Sequence, residues 1–237
     1  MSSSLNNIGK NLDKQFENHN FLPQKLGIED LSAGFKQFIE SQNLHVIMEN
    51  GLSRRVPVIY ISQELWAERK MNWKEMRSES GEEIGRPFIA LIRTAVKKGT
   101  APNKFTIPNK KKFTFVKVPT FDGTLKGFDL YKIPQPTYVD LEFEVKFVSH
   151  YMEDVDDFNE MMLDKAYSSG QGYMNVNGYY IASKMGDPSD ESNVEDINAE
   201  RIYQISVPVT IHGKIVDPTE FEKVNTIKKI SIKISEL

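Results

Sequence analysis

Glu144 and Lys146 lie two residues apart in a run of alternating apolar and charged residues. An acid and a lysine so spaced on a strand, with another acid upstream, can hold magnesium and polarise a water for phosphodiester cleavage. Asp122 or Asp129 could supply that acid. A half-wet strand whose polar face reads Asp140, Glu142, Glu144, Lys146 produces the same spacing unaided, and no histidine or basic helix accompanies it. A magnesium-dependent nuclease is therefore the enzymatic alternative, not the leading expectation. Asp154, Asp156 and Asp157 suggest calcium, but Phe158 stands where a further oxygen ligand belongs and the turn glycine is missing, so the start of a helix is the better reading. His19, His45, His150 and His212 are scattered without metal-ligand spacing. A phosphate-cradling glycine loop, a nucleophile elbow and an HExxH pattern are all absent. The expectation is a protein that is not an enzyme, with no catalytic, cofactor-binding or metal-binding residues.

The other chemically distinctive stretch is basic. Lys97, Lys98, Lys104, Lys110, Lys111, Lys112 and Lys117 occur with no intervening acid and with Phe105, Phe113 and Phe115 among them. Lysines interleaved with aromatics can grip a phosphate backbone. In a chain whose other loops are acidic, the same segregation lets identical subunits attract one another head to tail, and subunit contact is the preferred reading.

Composition narrows the remaining choices. With 237 residues, 39% of them hydrophobic, the chain can bury a substantial core, and 30 basic against 33 acidic residues leave a net charge of -3 with no global pull toward nucleic acid or anionic membrane. No cysteine is present, which excludes disulfides and thiolate sites and suits a reducing cytoplasm. Residues 1–20 are polar, without the apolar core of a secretory signal, and no run is long enough to span a bilayer, so a soluble chain made inside the cell with an N-terminal arm is expected.

These features need a scaffold. Ile28, Leu31, Phe35, Phe38 and Ile39 predict an amphipathic helix over 28–42. Asn50-Gly51 between Leu44–Met48 and Val56–Ser62 predicts a hairpin, and Glu64 to Gly85 reads as a short helix and a loop. Phe88–Val96 is an expected strand. Phe113–Val118 and Phe128–Ile133 flank Asp122-Gly123 as a second, projecting hairpin. Tyr138–Val148 alternates throughout, then Met152–Ala166 begins with the acids a helix N-terminus favours. Strands are expected on either side of Asn177-Gly178, with an acidic loop over 187–200. Ile202–Ile215 forms another strand, in which Pro208 argues for an edge or a bulge. Ile230, Ile232 and Ile234 alternate with Lys229, Ser231 and Lys233 in a last strand, which must fold back or add to a neighbour's sheet edge. The expected fold class is α+β: a mixed, mainly antiparallel sheet with helices packed on one face, a projecting hairpin and terminal extensions. The expected division is an arm over 1–25, a core over 26–218 and an extension strand over 219–237.

Arg55-Val-Pro-Val-Ile-Tyr60, Gly85-Arg-Pro-Phe-Ile-Ala-Leu91 and Pro134-Gln-Pro136 entering the long strand follow one another in an order that resembles the tail terminator, or tail sheath stabiliser, family of T4-like contractile-tailed bacteriophages. The resemblance continues with Tyr151-Met-Glu-Asp-Val-Asp-Asp157, then Glu200-Arg201-Ile202 opening a strand that ends at His212-Gly213, then Asp217-Pro218. It covers most of 55–218; residues 100–133 and the C-terminal strand depart from it. The resemblance implies a structural virion protein: a homohexameric ring that caps the tail tube, locks the last sheath ring, meets the neck proteins and lets DNA pass without sequence-specific binding, with no cofactor and no membrane. A portal-side connector ring of the neck is the alternative within that class. The candidate interface residues are Lys110, Lys111, Lys112 and Phe113 of the basic hairpin and Ile230, Ile232 and Ile234 of the last strand.

Overall fold

A computed structural model describes residues 21–47, 51–69, 85–99, 113–121, 125–192 and 202–224. The chain divides into two compact units. One comprises Leu26–Lys104 and Thr137–Ile215, the other Met1–Lys25, Phe105–Pro136 and Val216–Leu237. The 113–134 hairpin, placed by the sequence inside one 26–218 core, thus groups with residues after Val216.

The larger unit is built on a mixed sheet. Its strands are β3 (Val58–Ile61), β4 (Phe88–Lys98), β7 (Thr137–Ser149), β11 (Tyr203–Ile215), β9 (Tyr179–Met185) and β8 (Gln171–Val176), in that spatial order, with β10 (Ser189–Asp190) also pairing with β11. Among the described residues only β3 and β4 run parallel; every other pairing in this sheet is antiparallel. Together with the helices this makes the fold α+β.

The period-two pattern of β7 buries Val139, Leu141, Phe143, Val145 and Phe147 on one face. Two helices cover that face. The first, α1 (Ile28–Ser41), sets Phe35 against Phe143 with ring centroids 4.9 Å apart, and its first turn is closed by Asp30, which accepts from the Gly27 N–H at 2.8 Å. It lies close because Gly34 leaves room for Val176 and Gly213 leaves room for Leu31. The other, α3 (Met152–Glu160), stacks Phe158 on Phe147 at 4.9 Å. A short helix, α2 (Gln63–Arg69), takes the opposite face, where Trp66 packs with Ile61, Phe88, Ala90, Ile92 and Val148. The helices therefore occupy both faces, not one. The even-numbered residues of β4 and β7 turn apolar at this end, and that second core needs its own cover.

Three local expectations are also corrected. The Asn50-Gly51 hairpin exists, with Gly51 at φ +75°, but it joins β1 (His45–Ile47) to β2 (Ser53–Arg55), and Val58–Ile61 leaves it to lie beside β4. Pro57 separates the two: it has no N–H for a ladder, and its carbonyl accepts from Ile89 at 2.9 Å. The helix after β7 does not stay α-helical to Ala166; Met161–Ala166 is π-helical, with Tyr167 N–H donating to the Met162 carbonyl. The wider turn carries Lys165 outward and brings Ala166 and Tyr167 into the core. Pro208 sits in a central strand, opposite Glu144. Its missing donor faces the break between β9 and β10, where Gly186 N–H donates to its carbonyl at 2.8 Å.

In the other unit, β5 (Phe113–Phe121) and β6 (Leu125–Pro134) form the expected second hairpin, and β12 (Glu222–Val224) adds antiparallel to β6. The start of the expected extension holds a 3-10 turn, Pro218–Glu220, before β12, with Asp217 accepting from the Thr219 N–H at 2.9 Å as the turn's cap.

Candidate interaction surface

Phe113, Phe115, Lys117 and Pro119 alternate along one face of β5, and cross-strand pairing places Pro134, Lys132, Leu130 and Phe128 beside them on β6. Glu222 and Val224 of β12 complete that face. Phe113 is 44% exposed, Phe115 58% and Phe128 51%, a concentration of aromatic surface that isolated surface residues do not produce. Lys132 sits over the Phe113 ring, 4.0 Å from its centroid, and reaches Glu222 at 3.0 Å. On the opposite face Lys223 pairs with Asp129 at 2.7 Å, which raises the Lys223 pKa through the Asp129 hydrogen bond. These two ion pairs fasten β12 to β6. Of the sequence-derived interface residues, Phe113 lies on this surface; Lys110, Lys111, Lys112, Ile230, Ile232 and Ile234 lie outside the described residues. Phe115 was legible as an aromatic of the basic stretch and Phe128 only as a strand residue; that they share a face is decided by pairing register.

The Glu144 and Lys146 pair is brought together and engaged. The buried Lys146 ammonium lies 2.7 and 2.9 Å from the two Glu191 oxygens, 3.3 Å from Glu144 and 5.7 Å from the centre of the Trp66 ring. Gln204 donates to Glu191 at 2.5 Å and fixes it from the neighbouring strand. Lys146 is thus the centre of a polar knot that ties β7 to the segment after β10. The proposed upstream acid Asp129 belongs to the other unit and serves Lys223, and Asp122 lies outside the described residues. Among the described residues no three His, Asp or Glu side chains are grouped to hold a metal ion. Glu191, Gln204 and Trp66 carried no sequence signal, being far apart in the chain.

Asp154 in the first turn of α3 is likewise committed: the buried Ser149 hydroxyl donates to its carboxylate. Burial pushes this carboxyl above its usual range, the Ser149 hydrogen bond opposes that, and the nearby charges of Asp157 and Glu153 add to it. Asp156 and Asp157 point to solvent. His212 pairs with Asp140 at 2.9 Å, and the His45 ring meets the Asn43 carbonyl at 2.8 Å. An open cleft of about 540 Å³ lies beside His45, bordered by Asp157, Glu160 and Asp164 on the outer side of the helix.

No family model matches this chain, and no curated protein is significantly similar to it.

Proposed function

We propose that this chain is a structural protein that works by ring assembly, as the tail terminator of a contractile phage tail. The observation that carries ring assembly is the exposed aromatic face of the three-stranded sheet, apolar enough to call for a protein partner. The terminator assignment comes from the ordered segments of the sequence. Those segments fall on structural elements: Arg55–Tyr60 spans the passage from hairpin to sheet, Gly85–Leu91 enters β4, Pro134–Pro136 enters β7, and Tyr151–Asp157 starts α3. In this reading the chain acts by recognition without catalysis. A homohexamer caps the tail tube, holds the sheath, meets the neck proteins and encircles passing DNA without reading its sequence, in the tail and neck of the virion. Lys146, enclosed by Glu191, Glu144 and Trp66, then serves the fold and not a nuclease reaction.

The test is the light-scattering mass of the purified chain, alone and with purified tail tubes, together with negative-stain images. A sixfold ring is expected. A twelvefold ring would move the protein to the portal-side connector. A chain that stays monomeric on tubes and cleaves DNA with magnesium, losing that cleavage on Glu144→Ala, would overturn the structural reading.

A further inference from the structure

Within the proposed ring, the aromatic face has an occupant that the chain itself supplies. β5 lies at the end of its sheet, ordered β12, β6, β5, so its outer edge has no strand beside it among the described residues. Nine residues long and rich in aromatics, it is the kind of edge that templates pairing with another strand. Residues 225–237 follow directly on β12 and carry Ile230, Ile232 and Ile234 at alternate positions, with Lys229, Ser231 and Lys233 between.

We infer that residues 227–234 of one copy add as a strand to the outer edge of β5 of the next copy, laying Ile230, Ile232 and Ile234 beside Phe113 and Phe115. Main-chain hydrogen bonds would complete the β5 ladder, and the isoleucine row would pack against the open flank of Phe113 and Phe115, while Lys229, Ser231 and Lys233 would fall on the face of Thr114 and Val116.

The tether favours a neighbour over the chain's own sheet. Val224 lies opposite Leu130, which lies opposite Lys117, so the chain leaves from the far side of β6 from β5. The ion pairs Lys132–Glu222 and Lys223–Asp129 hold it there. Reaching the outer side of β5 means crossing three strand spacings, about 14 Å, and standing off the sheet by roughly 10 Å to clear the phenylalanines. From Val224, where β12 ends, to residue 227 the chain spans at most about 11 Å fully extended, too little for that climb and descent. A second copy has no such constraint. Each copy then gives one strand and receives one, the head-to-tail contact that closes into a ring.

This inference rests on the ring reading, and complementation between full-length variants tests it separately. Ile230→Asp with Ile232→Asp disables the donated strand; Phe113→Asp with Phe115→Asp disables the receiving face. Each variant alone should have the 27.2 kDa mass of one chain, and their mixture should give a species of twice that mass. If the unsubstituted chain forms rings and both variants do so equally well, the strand exchange is wrong and the ring stands on another surface. Since the chain has no cysteine, Phe115→Cys and Ile232→Cys report the contact even if an aspartate variant misfolds. Mixing the two single-cysteine chains under oxidation should join them to each other. No such product, or a disulfide formed only within one chain carrying both cysteines, overturns the inference whatever the mass of the unsubstituted chain.

Discussion

Leu31 of α1 lies so close to Gly213 of β11 that a Cβ on residue 213 would stand 2.5 Å from a Leu31 methyl carbon. The helix reaches its depth over β11 because that residue has no side chain, and the contact joins α1 to β11. Gly213→Ala should therefore destabilise the protein by about 1–3 kcal/mol through overpacking. Leu31→Ala makes a cavity and should cost about 2–5 kcal/mol alone. The double variant should lose less than the sum, because the new methyl occupies the space the leucine vacates. Urea unfolding of the four proteins checks this; strict additivity would mean that helix and strand do not meet as described.

Lys146 has three close neighbours, Glu191, Glu144 and the Trp66 ring. Its side chain is 8% exposed, against 35% for Glu191 and 41% for Glu144, so both acids can recover hydration when the lysine is lost. Lys146→Ala should cost about 1.5–3 kcal/mol, the range for a charge-assisted hydrogen bond, and Lys146→Met should recover part of that by packing against Trp66. Thermal unfolding measures both, and equal losses for Ala and Met would assign the whole effect to charge.

Much of the scaffold was legible because it is local. The alternation of β7, the helical spacing of Leu31, Phe35 and Ile39, and the Asn177-Gly178 turn, with both residues at positive φ, are written in adjacent residues. What was not legible depends on partners distant in sequence. Pro208 looked like an edge residue because a single strand does not reveal that its neighbour breaks beside it. Val58–Ile61 looked like a hairpin arm because the alternative partner, β4, lies beyond a long intervening segment. Trp66 sat among charges and gave no sign of the apolar patch it covers, which is assembled from β3, β4 and β7. At the interaction surface, the basic and aromatic residues were visible, but only the β5–β6 register puts Phe113, Phe115 and Phe128 on one face.

Asp154 gives a pH test with a definite sign. Its folded-state pKa is raised, with burial as the largest cause, Ser149 opposing, Asp157 and Glu153 adding and His150 opposing. The folded protein therefore holds this proton more tightly than the unfolded chain. The stability it contributes is present below the ordinary carboxylate range and is lost as pH rises through the raised pKa. Asp154→Asn keeps an oxygen to accept from Ser149 and does not titrate. The stability of the unsubstituted protein relative to this variant should fall as pH increases from acid to neutral, as read by denaturant midpoints at each pH. A constant difference would show that the carboxylate is not buried.

Tyr167 gives the opposite end of the scale. Its ring is buried, with the edge of Phe38 nearby, its hydroxyl meets the Ser183 hydroxyl at 3.2 Å, and Ser183 in turn donates to the Gly172 carbonyl at 3.2 Å. Burial pushes its pKa from the ordinary 10.0 up to about 12, with the Ser183 hydrogen bond opposing. Tyr167→Phe loses one hydrogen bond while Ser183 keeps its acceptor, so at neutral pH it should cost about 1 kcal/mol. As pH rises past 10, the unfolded chain releases this proton while the folded protein retains it until near 12, and the unsubstituted protein loses roughly 2–3 kcal/mol across that interval. The variant has no such loss. The order of stability should therefore reverse above roughly pH 11, so that removing a hydroxyl protects the fold in alkali; parallel stability curves would place the phenol in water instead of in the core.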